Sequence, residues 1–268
     1  MIQSALLKLL ESRFLPPLKE YLSMKLDRSQ TRFVPRMGTQ VNIARALKQI
    51  HSMTLSSRTA YGLFIDFSNA YNTVPHTLLF EKLQKKNIFP LDELEFLKQL
   101  YARYHIRVGN SSFRPNKGVA QGSIISPALF DIFIEDLSEE LQKKCSLSLT
   151  NILLYADDIM VICNSKTQLE QAIKVIEDWT IRNGMLLNKK KSGILTFGAR
   201  KQKKNPYMEC QHQPSNKYYT RVWTPSLSDI MGIPLCKEYK YLGVKLTPKL
   251  NLGPQIAFIE KKSTHIFT

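Results

Sequence analysis

The sequence predicts an α+β fold, in which apolar strands pair as antiparallel hairpins and amphipathic helices back them. Three observations carry this reading. Ile152-Leu153-Leu154 and Ile159-Met160-Val161-Ile162 flank Tyr155-Ala156-Asp157-Asp158, the pattern of a β-hairpin with two acids at its tip. Upstream, Ala60 to Phe67 is a second apolar run, interrupted by the single acid Asp66. Leu129, Ile132, Phe133, Leu137 and Leu141, and later Leu169, Ala172, Ile173, Ile176 and Trp179, recur at helical spacing and read as core.

The remaining elements follow in chain order. Met1 to Leu26 reads as an amphipathic helix that ends near Leu15-Pro16-Pro17 or restarts after it; Lys8, Glu11 and Arg13 among its leucines argue against a signal peptide. Arg32 to Gln40 is a loop with a helix start at Thr39, and Val41, Ala44, Leu47 and Ile50 share one face of the helix beyond. Pro75 opens a helix to about Lys86, and Leu91 to Tyr104 forms the next. Ile106-Arg107-Val108 and Phe113-Arg114 flank Gly109-Asn110-Ser111-Ser112 as a hairpin. Around it, Arg103, His105, Arg107, Arg114 and Lys117 either line a nucleic-acid groove or are ordinary surface charge. Ser126 reads as an N-cap with Pro127 at the first helical position. Ser165-Lys166-Thr167-Gln168 fits a capping box, and Gly184 a C-terminal cap. Residues 200 to 236 show little periodicity and read as an insertion, a long or partly disordered loop.

The acids point to chemistry. Neighbouring carboxylates repel, and burial disfavours both ionised forms unless a cation compensates. A hard divalent ion such as Mg2+, which takes oxygen ligands, is the natural compensator. If the two apolar runs are neighbouring strands, Asp66 can face Asp157 and Asp158 across the sheet. Three carboxylates there could hold two metal ions, which stabilise the attacking and leaving oxygens of phosphoryl transfer. A lone Asp-Asp at a turn is ordinarily solvated; the apolar flanks and the Asp66 run argue for the site.

A third segment, Gly118-Val119-Ala120-Gln121-Gly122-Ser123-Ile124-Ile125-Ser126-Pro127-Ala128-Leu129-Phe130, completes a pattern. With Phe64-Ile65-Asp66-Phe67-Ser68-Asn69-Ala70-Tyr71-Asn72-Thr73-Val74-Pro75-His76 and Tyr-Ala-Asp-Asp, it resembles the reverse transcriptase family, in the family's order, over roughly residues 30 to 248. The likeness is greatest to the enzymes of non-LTR (LINE-type) retrotransposons, with departures in the first motif at Tyr71 and Asn72. The resemblance implies a right-hand polymerase palm, an antiparallel sheet backed by helices. Residues 1–59 would be partial fingers and N-terminal helices, 60–248 the palm-centred core, and 249–268 the start of a thumb or a truncated tail.

The implied reaction is RNA-directed DNA synthesis, the transfer of a nucleotide from a dNTP to a primer 3′-hydroxyl. An RNA template, a DNA primer and dNTPs are the implied partners, and two Mg2+ ions, with Mn2+ as a substitute, the cofactors. By resemblance, Asp66 and Asp157 are metal ligands, Asp158 is the neighbouring acid of the cluster, and the Phe67 carbonyl is a further ligand. Tyr71 matches the aromatic that collides with a ribose 2′-hydroxyl. Gln121 and Gly122 would meet the template–nucleotide pair, where a Cβ at Gly122 would obstruct. Asn188 and Lys191 would position the nucleotide and its triphosphate. Arg36 would touch template backbone or be an ordinary solvated loop arginine; Tyr155 would touch nucleic acid, as would Tyr241, Leu242 and Gly243 of a primer-gripping hairpin. The rival readings are an inactive nucleic-acid-binding remnant and, more remotely, a group II intron maturase-like protein.

Composition agrees. The formal net charge is +16, which suits a polyanionic partner whose counterions are released on binding. The four cysteines form no Cys-x-x-Cys pair, so no zinc site is expected. No apolar run reaches the length of a membrane span. An intracellular ribonucleoprotein in nucleus or cytoplasm is the expected setting, with an organelle as the alternative; the oligomeric state is not legible.

Overall fold

The computed structural model describes residues 5–24, 29–31, 38–57, 59–120, 122–198 and 229–250. The chain begins with α1 (Ala5–Ser12), α2 (Leu15–Met24) and α3 (Thr39–Ser57), then enters β1 (Ala60–Ile65). The short α4 (Ala70–Thr73) leads to α5 (His76–Lys85) and α6 (Leu91–Ala102). A small hairpin, β2 (Ile106–Val108) and β3 (Ser111–Phe113), precedes the long α7 (Ser126–Cys145). There follow β4 (Ile152–Tyr155), β5 (Asp158–Cys163), α8 (Lys166–Arg182) and β6 (Gly193–Phe197). Two small hairpins close the described chain: β7 (Asp229–Ile230) with β8 (Ile233–Pro234), and β9 (Tyr239–Tyr241) with β10 (Val244–Leu246).

The central sheet has the order β4-β5-β1-β6, and every neighbouring pair is antiparallel. It is buried on both faces. Ile159, Val161 and Cys163 of β5 join the core under α7 and α8, while Met160 and Ile162 pack on the opposite face with Ala46 and Ile50 of α3 and Tyr241 and Leu246 of the last hairpin. Double-sided burial explains why these strands read as continuous apolar runs rather than as alternation. The five apolar residues expected on α7 and the five on α8 are all fully buried.

Local signals account for most of the boundaries. Ser165 Oγ accepts from Gln168 N–H at 3.2 Å, and the Gln168 side chain accepts from Asn164 N–H at 3.0 Å. At the other end of α8, Met185 N–H reaches Thr180 O, Gly184 N–H reaches Ile181 O, and Gly184 has φ 63°, a Schellman ending. The first helix restarts at the prolines, which sit in the opening turn of α2 where their missing N–H groups cost nothing.

Four expectations need correction. Ser126 is the first residue of α7 rather than its cap; Ser123 Oγ accepts the Ile125 and Ser126 N–H groups instead, both at 3.2 Å. The buried face of α3 is Asn42, Ala46 and Ile50, and Ala44 is exposed. The rotation follows from Asn42, whose Nδ2 donates to the Leu154 carbonyl at 3.2 Å and so turns a polar residue inward. The β2–β3 turn is Gly109-Asn110 alone, since Ser111 and Ser112 pair with Val108 and Arg107. Residues 229–236 of the expected loop carry the β7–β8 hairpin and Leu235, which bridges to Ile194; 200–228 lie outside the described residues.

Candidate active site

Register brings the acids together. Tyr155 pairs with Asp158 across β4 and β5, so Ala156 and Asp157 form the turn. Ile65 pairs with Ile159, which sets Asp66, the residue just after β1, at the same end of the sheet. A cavity of about 450 Å³ opens there, lined by Asp66, Phe67, Tyr71, Asp157, Asn188 and Lys191 among others. Six site residues expected from sequence therefore share one space. Asp158 is not among its lining residues. It is exposed, and its charge bears on Tyr241, whose hydroxyl is pushed up first by burial and then by Asp158. Among the described residues no three His, Cys, Asp or Glu side chains are grouped closely enough to hold a metal ion.

The turn carrying Asp157 is strained. Ala156 is fully buried with φ 53°, a left-handed conformation that a Cβ disfavours. Gln30 holds it: the Gln30 Oε1 accepts the Ala156 N–H at 3.1 Å, and its backbone bridges to Leu154. Leu154 N–H donates to Ser29 O, and Thr31 N–H donates to Leu154 O.

Asp66 is held from the β6 side. Its carbonyl accepts the Asn188 N–H at 2.9 Å, and its own N–H donates to Ser192 Oγ at 3.1 Å. The Ser192 hydroxyl donates to Asn188 O at 2.9 Å, which closes the turn of 188–192 around Asp66. Burial raises the Asp66 carboxyl above its usual range, and the Asp157 charge raises it further; Lys191 and a hydrogen bond from Asn188 pull it down. Two carboxylates and one ammonium thus share the cavity. Because the Asp66 carbonyl points to Asn188, extended backbone turns the next carbonyl, that of Phe67, the other way.

Tyr71 lies on α4, whose preceding residue Asn69 adopts a left-handed φ of 52°. Its ring stacks on Phe130 of α7, with centroids 4.6 Å apart and planes 12° apart. The Tyr71 carbonyl accepts the Val119 N–H at 2.8 Å, and Val74 O accepts the Gly118 N–H at 2.7 Å. Gly118 has φ 96°, and a Cβ there would meet Asn72 O at 3.1 Å. His76 Nε2 lies 2.8 Å from the Gly118 carbonyl. Gly122 has φ 89°, which only glycine adopts readily.

The other expected residues are placed differently. Gln121 and Arg36 lie outside the described residues. Tyr155 is half-buried at the end of β4 and does not line the cavity. Tyr241, expected to touch nucleic acid, is 2 % exposed and packs against Phe64, so its ring fixes the last hairpin to the sheet instead. Leu242 and Gly243 form that hairpin's two-residue turn with φ 47° and 85°, the geometry that matches strand twist. Sequence reasoning missed Ser192, Gln30, Phe130 and His76 as supports of the site. His76 and Phe130 lie within the quoted motifs and were legible as positions, not as contacts; Gln30 carried no local signal.

Comparison with known proteins agrees with this geometry. The sequence pattern of the family described as reverse transcriptase (RNA-dependent DNA polymerase) matches residues 1–246. The chain is 23 % identical over 256 residues to the Pol polyprotein of the type-2 retrotransposable element R2DM of Drosophila melanogaster, covering 89 % of this chain and 23 % of that protein. It is 25 % identical over 240 residues to the RNA-directed DNA polymerase of the mobile element jockey of the same organism, covering 84 % and 24 %. The chain thus spans about a quarter of the length of these relatives, which belong to non-LTR retrotransposons. Among solved structures, apo telomerase of Candida tropicalis matches with a TM-score of 0.55 at 17 % identity, covering 70 % of this chain and 36 % of that one. That likeness shows the fold, a polymerase palm of helices and antiparallel sheet. With the motif order, the convergent acids and the match over 1–246, the chain belongs to the reverse transcriptase (RNA-dependent DNA polymerase) family.

Proposed function

We propose that this chain is the polymerase core of a non-LTR retrotransposon enzyme, copying an RNA template into DNA from dNTPs. The observation that carries this is the convergence of Asp66 and Asp157 with Tyr71 and Lys191 in one cavity. The donor set fits a divalent cation: two carboxylates face one space, one of them raised by burial and by its neighbour, and oxygen ligands suit Mg2+ or Mn2+. Asp66 and Asp157 would hold the metal, with the Phe67 carbonyl turned away from Asn188 as a further oxygen. When bound, the metal would neutralise phosphate charge and lower the proton affinity of the primer hydroxyl.

The chain's own residues do the rest. Ser192 and Asn188 fix the Asp66 backbone, and Gln30 fixes the Asp157 turn. Lys191 draws the triphosphate to the acids. Tyr71, braced by Phe130, sets the floor against a ribose 2′-hydroxyl. The primer 3′-oxygen bonds to the α-phosphorus, the bond to pyrophosphate breaks, and the hydroxyl proton passes to solvent. RNA template, DNA primer and dNTPs are the proposed partners, and an intracellular ribonucleoprotein the proposed setting. No described helix is long and apolar enough to cross a membrane.

Extension of a DNA primer on an RNA template, with dNTPs and Mg2+, tests the reading. Template-directed product supports it. No product from folded protein that binds the RNA contradicts it and favours the inactive remnant.

A further inference from the structure

A second cavity, of about 500 Å³, is lined in part by Gly118 and Val119 of the motif segment that braces Tyr71. Its walls are largely apolar and aromatic, with His76, Tyr101, Tyr104 and Phe113 among them, and Arg114 and Lys117 at its edge. Tyr101 meets His76 edge-on, with centroids 5.0 Å apart and planes at 88°. Phe113, at the end of β3, is 50 % exposed, so part of its ring is accessible to a ligand. Arg114 and Lys117 are exposed, and Arg114 Nε donates to His105 Nε2 at 3.0 Å. The acid lining the cavity, Glu11, is 4 % exposed, and its carboxylate accepts the Ser123 hydroxyl at 2.9 Å and the Ile124 N–H at 3.1 Å. Asn72 lines both this cavity and the active-site cavity, so the two share a wall.

Aromatic faces inside a pocket and cations at its mouth are the chemistry that holds single-stranded nucleic acid, base on ring and phosphate on ammonium or guanidinium. We propose that this cavity takes one unpaired base of the RNA template, stacked against Phe113 and Tyr104, with the adjoining phosphates on Arg114 and Lys117. The proposal rests on the polymerase reading above and adds a subsite to it. The shared wall at Asn72 puts that base beside the segment that holds Tyr71. A base seated there contacts Gly118 and Ala120 and so orders the template where it enters the active site.

The test is fluorescence anisotropy of the full chain with a primer–template carrying a single-stranded RNA overhang, abasic sites being placed one position at a time. In wild type, one overhang position is expected to weaken binding about tenfold when abasic, the scale of one base–aromatic stack, with little effect elsewhere. In Phe113→Ala that position-specific penalty disappears, and Phe113→Trp preserves it; the partial exposure of Phe113 makes both substitutions compatible with folding. A flat abasic scan in wild type, or an undiminished penalty in Phe113→Ala, overturns the pocket. A flat scan in protein that still extends primers overturns the pocket alone, whereas absence of both RNA binding and extension overturns the polymerase reading with it.

Discussion

The Tyr71 ring lies flat on the Phe130 ring at 4.6 Å, so the wall of the active-site cavity is backed by the core of α7. Phe130 is fully buried and cannot retreat without opening a void. On the proposed function, a rigid aromatic at this position would exclude the extra hydroxyl of a ribonucleotide by contact rather than by charge. Tyr71→Val should therefore raise the ratio of rNTP to dNTP incorporation by about tenfold or more, the scale on which one steric contact discriminates. Paired single-nucleotide extensions with each sugar measure it; an unchanged ratio removes Tyr71 as the gate.

Gly118 allows the closest backbone approach near the site. With φ 96° and Asn72 O only 3.1 Å from the position of a Cβ, Gly118→Ala meets both torsional strain and a tight contact that the Asn72 backbone must relieve. The strain alone costs about 1–2 kcal/mol. Chemical denaturation should show that loss, and nucleotide addition should fall more steeply than stability does, because Val119 would no longer hold the Tyr71 carbonyl in place.

His76 gives the fold a sensitivity to acid. Burial lowers its pKa below the ordinary value, and the hydrogen bond to the Gly118 carbonyl raises it only in part. The unfolded chain then binds the proton more tightly than the native one. Stability present above about pH 6.5 is lost as the pH falls below that value, and the loss ends once the folded pKa is passed. Thermal unfolding between neutral pH and pH near 5 should show a larger drop in Tm for wild type than for His76→Gln, which keeps a donor to Gly118 but does not titrate.

Ser192 ties the residue after β1 to the turn before β6 through one hydroxyl, accepting from Asp66 N–H and donating to Asn188 O. It is 2 % exposed, so water cannot readily replace it. Ser192→Ala should cost about 1–3 kcal/mol by leaving the Asp66 N–H unsatisfied. Denaturant titration measures this, and Ser192→Thr should recover part of it.

The strand pattern around Asp66 and Asp157 was legible because both sheet faces are buried, which writes itself into the sequence as unbroken apolar runs. The same was true of α8, whose cap residues Ser165, Gln168 and Gly184 act locally. What failed was non-local. The face of α3 turned on a single hydrogen bond from Asn42 to a strand more than a hundred residues away. Tyr241 read as a surface contact because its hairpin is short and exposed at the turn, whereas Phe64 draws its ring inward. Asp158 was grouped with its neighbour by adjacency, yet Asp157 stands in the turn and lines the cavity, whereas Asp158 opens β5 and is exposed. Ser192 and Gln30 act through backbone groups of distant residues, which leave no spacing in the chain.

The central claim is that Asp66 and Asp157 form the seat of nucleotidyl transfer, and Asp157→Asn tests it most directly. The measurement is the single-turnover rate of one dNTP addition on an RNA template, beside Tm and RNA affinity for the same preparations. The expected result is a fall in rate of about a thousandfold or more, as when charge stabilisation of the transition state is removed, with Tm and RNA affinity nearly unchanged. A variant that adds nucleotide at the wild-type rate, or that loses its fold together with its activity, would contradict the claim and make Asp157 a structural acid of the hairpin.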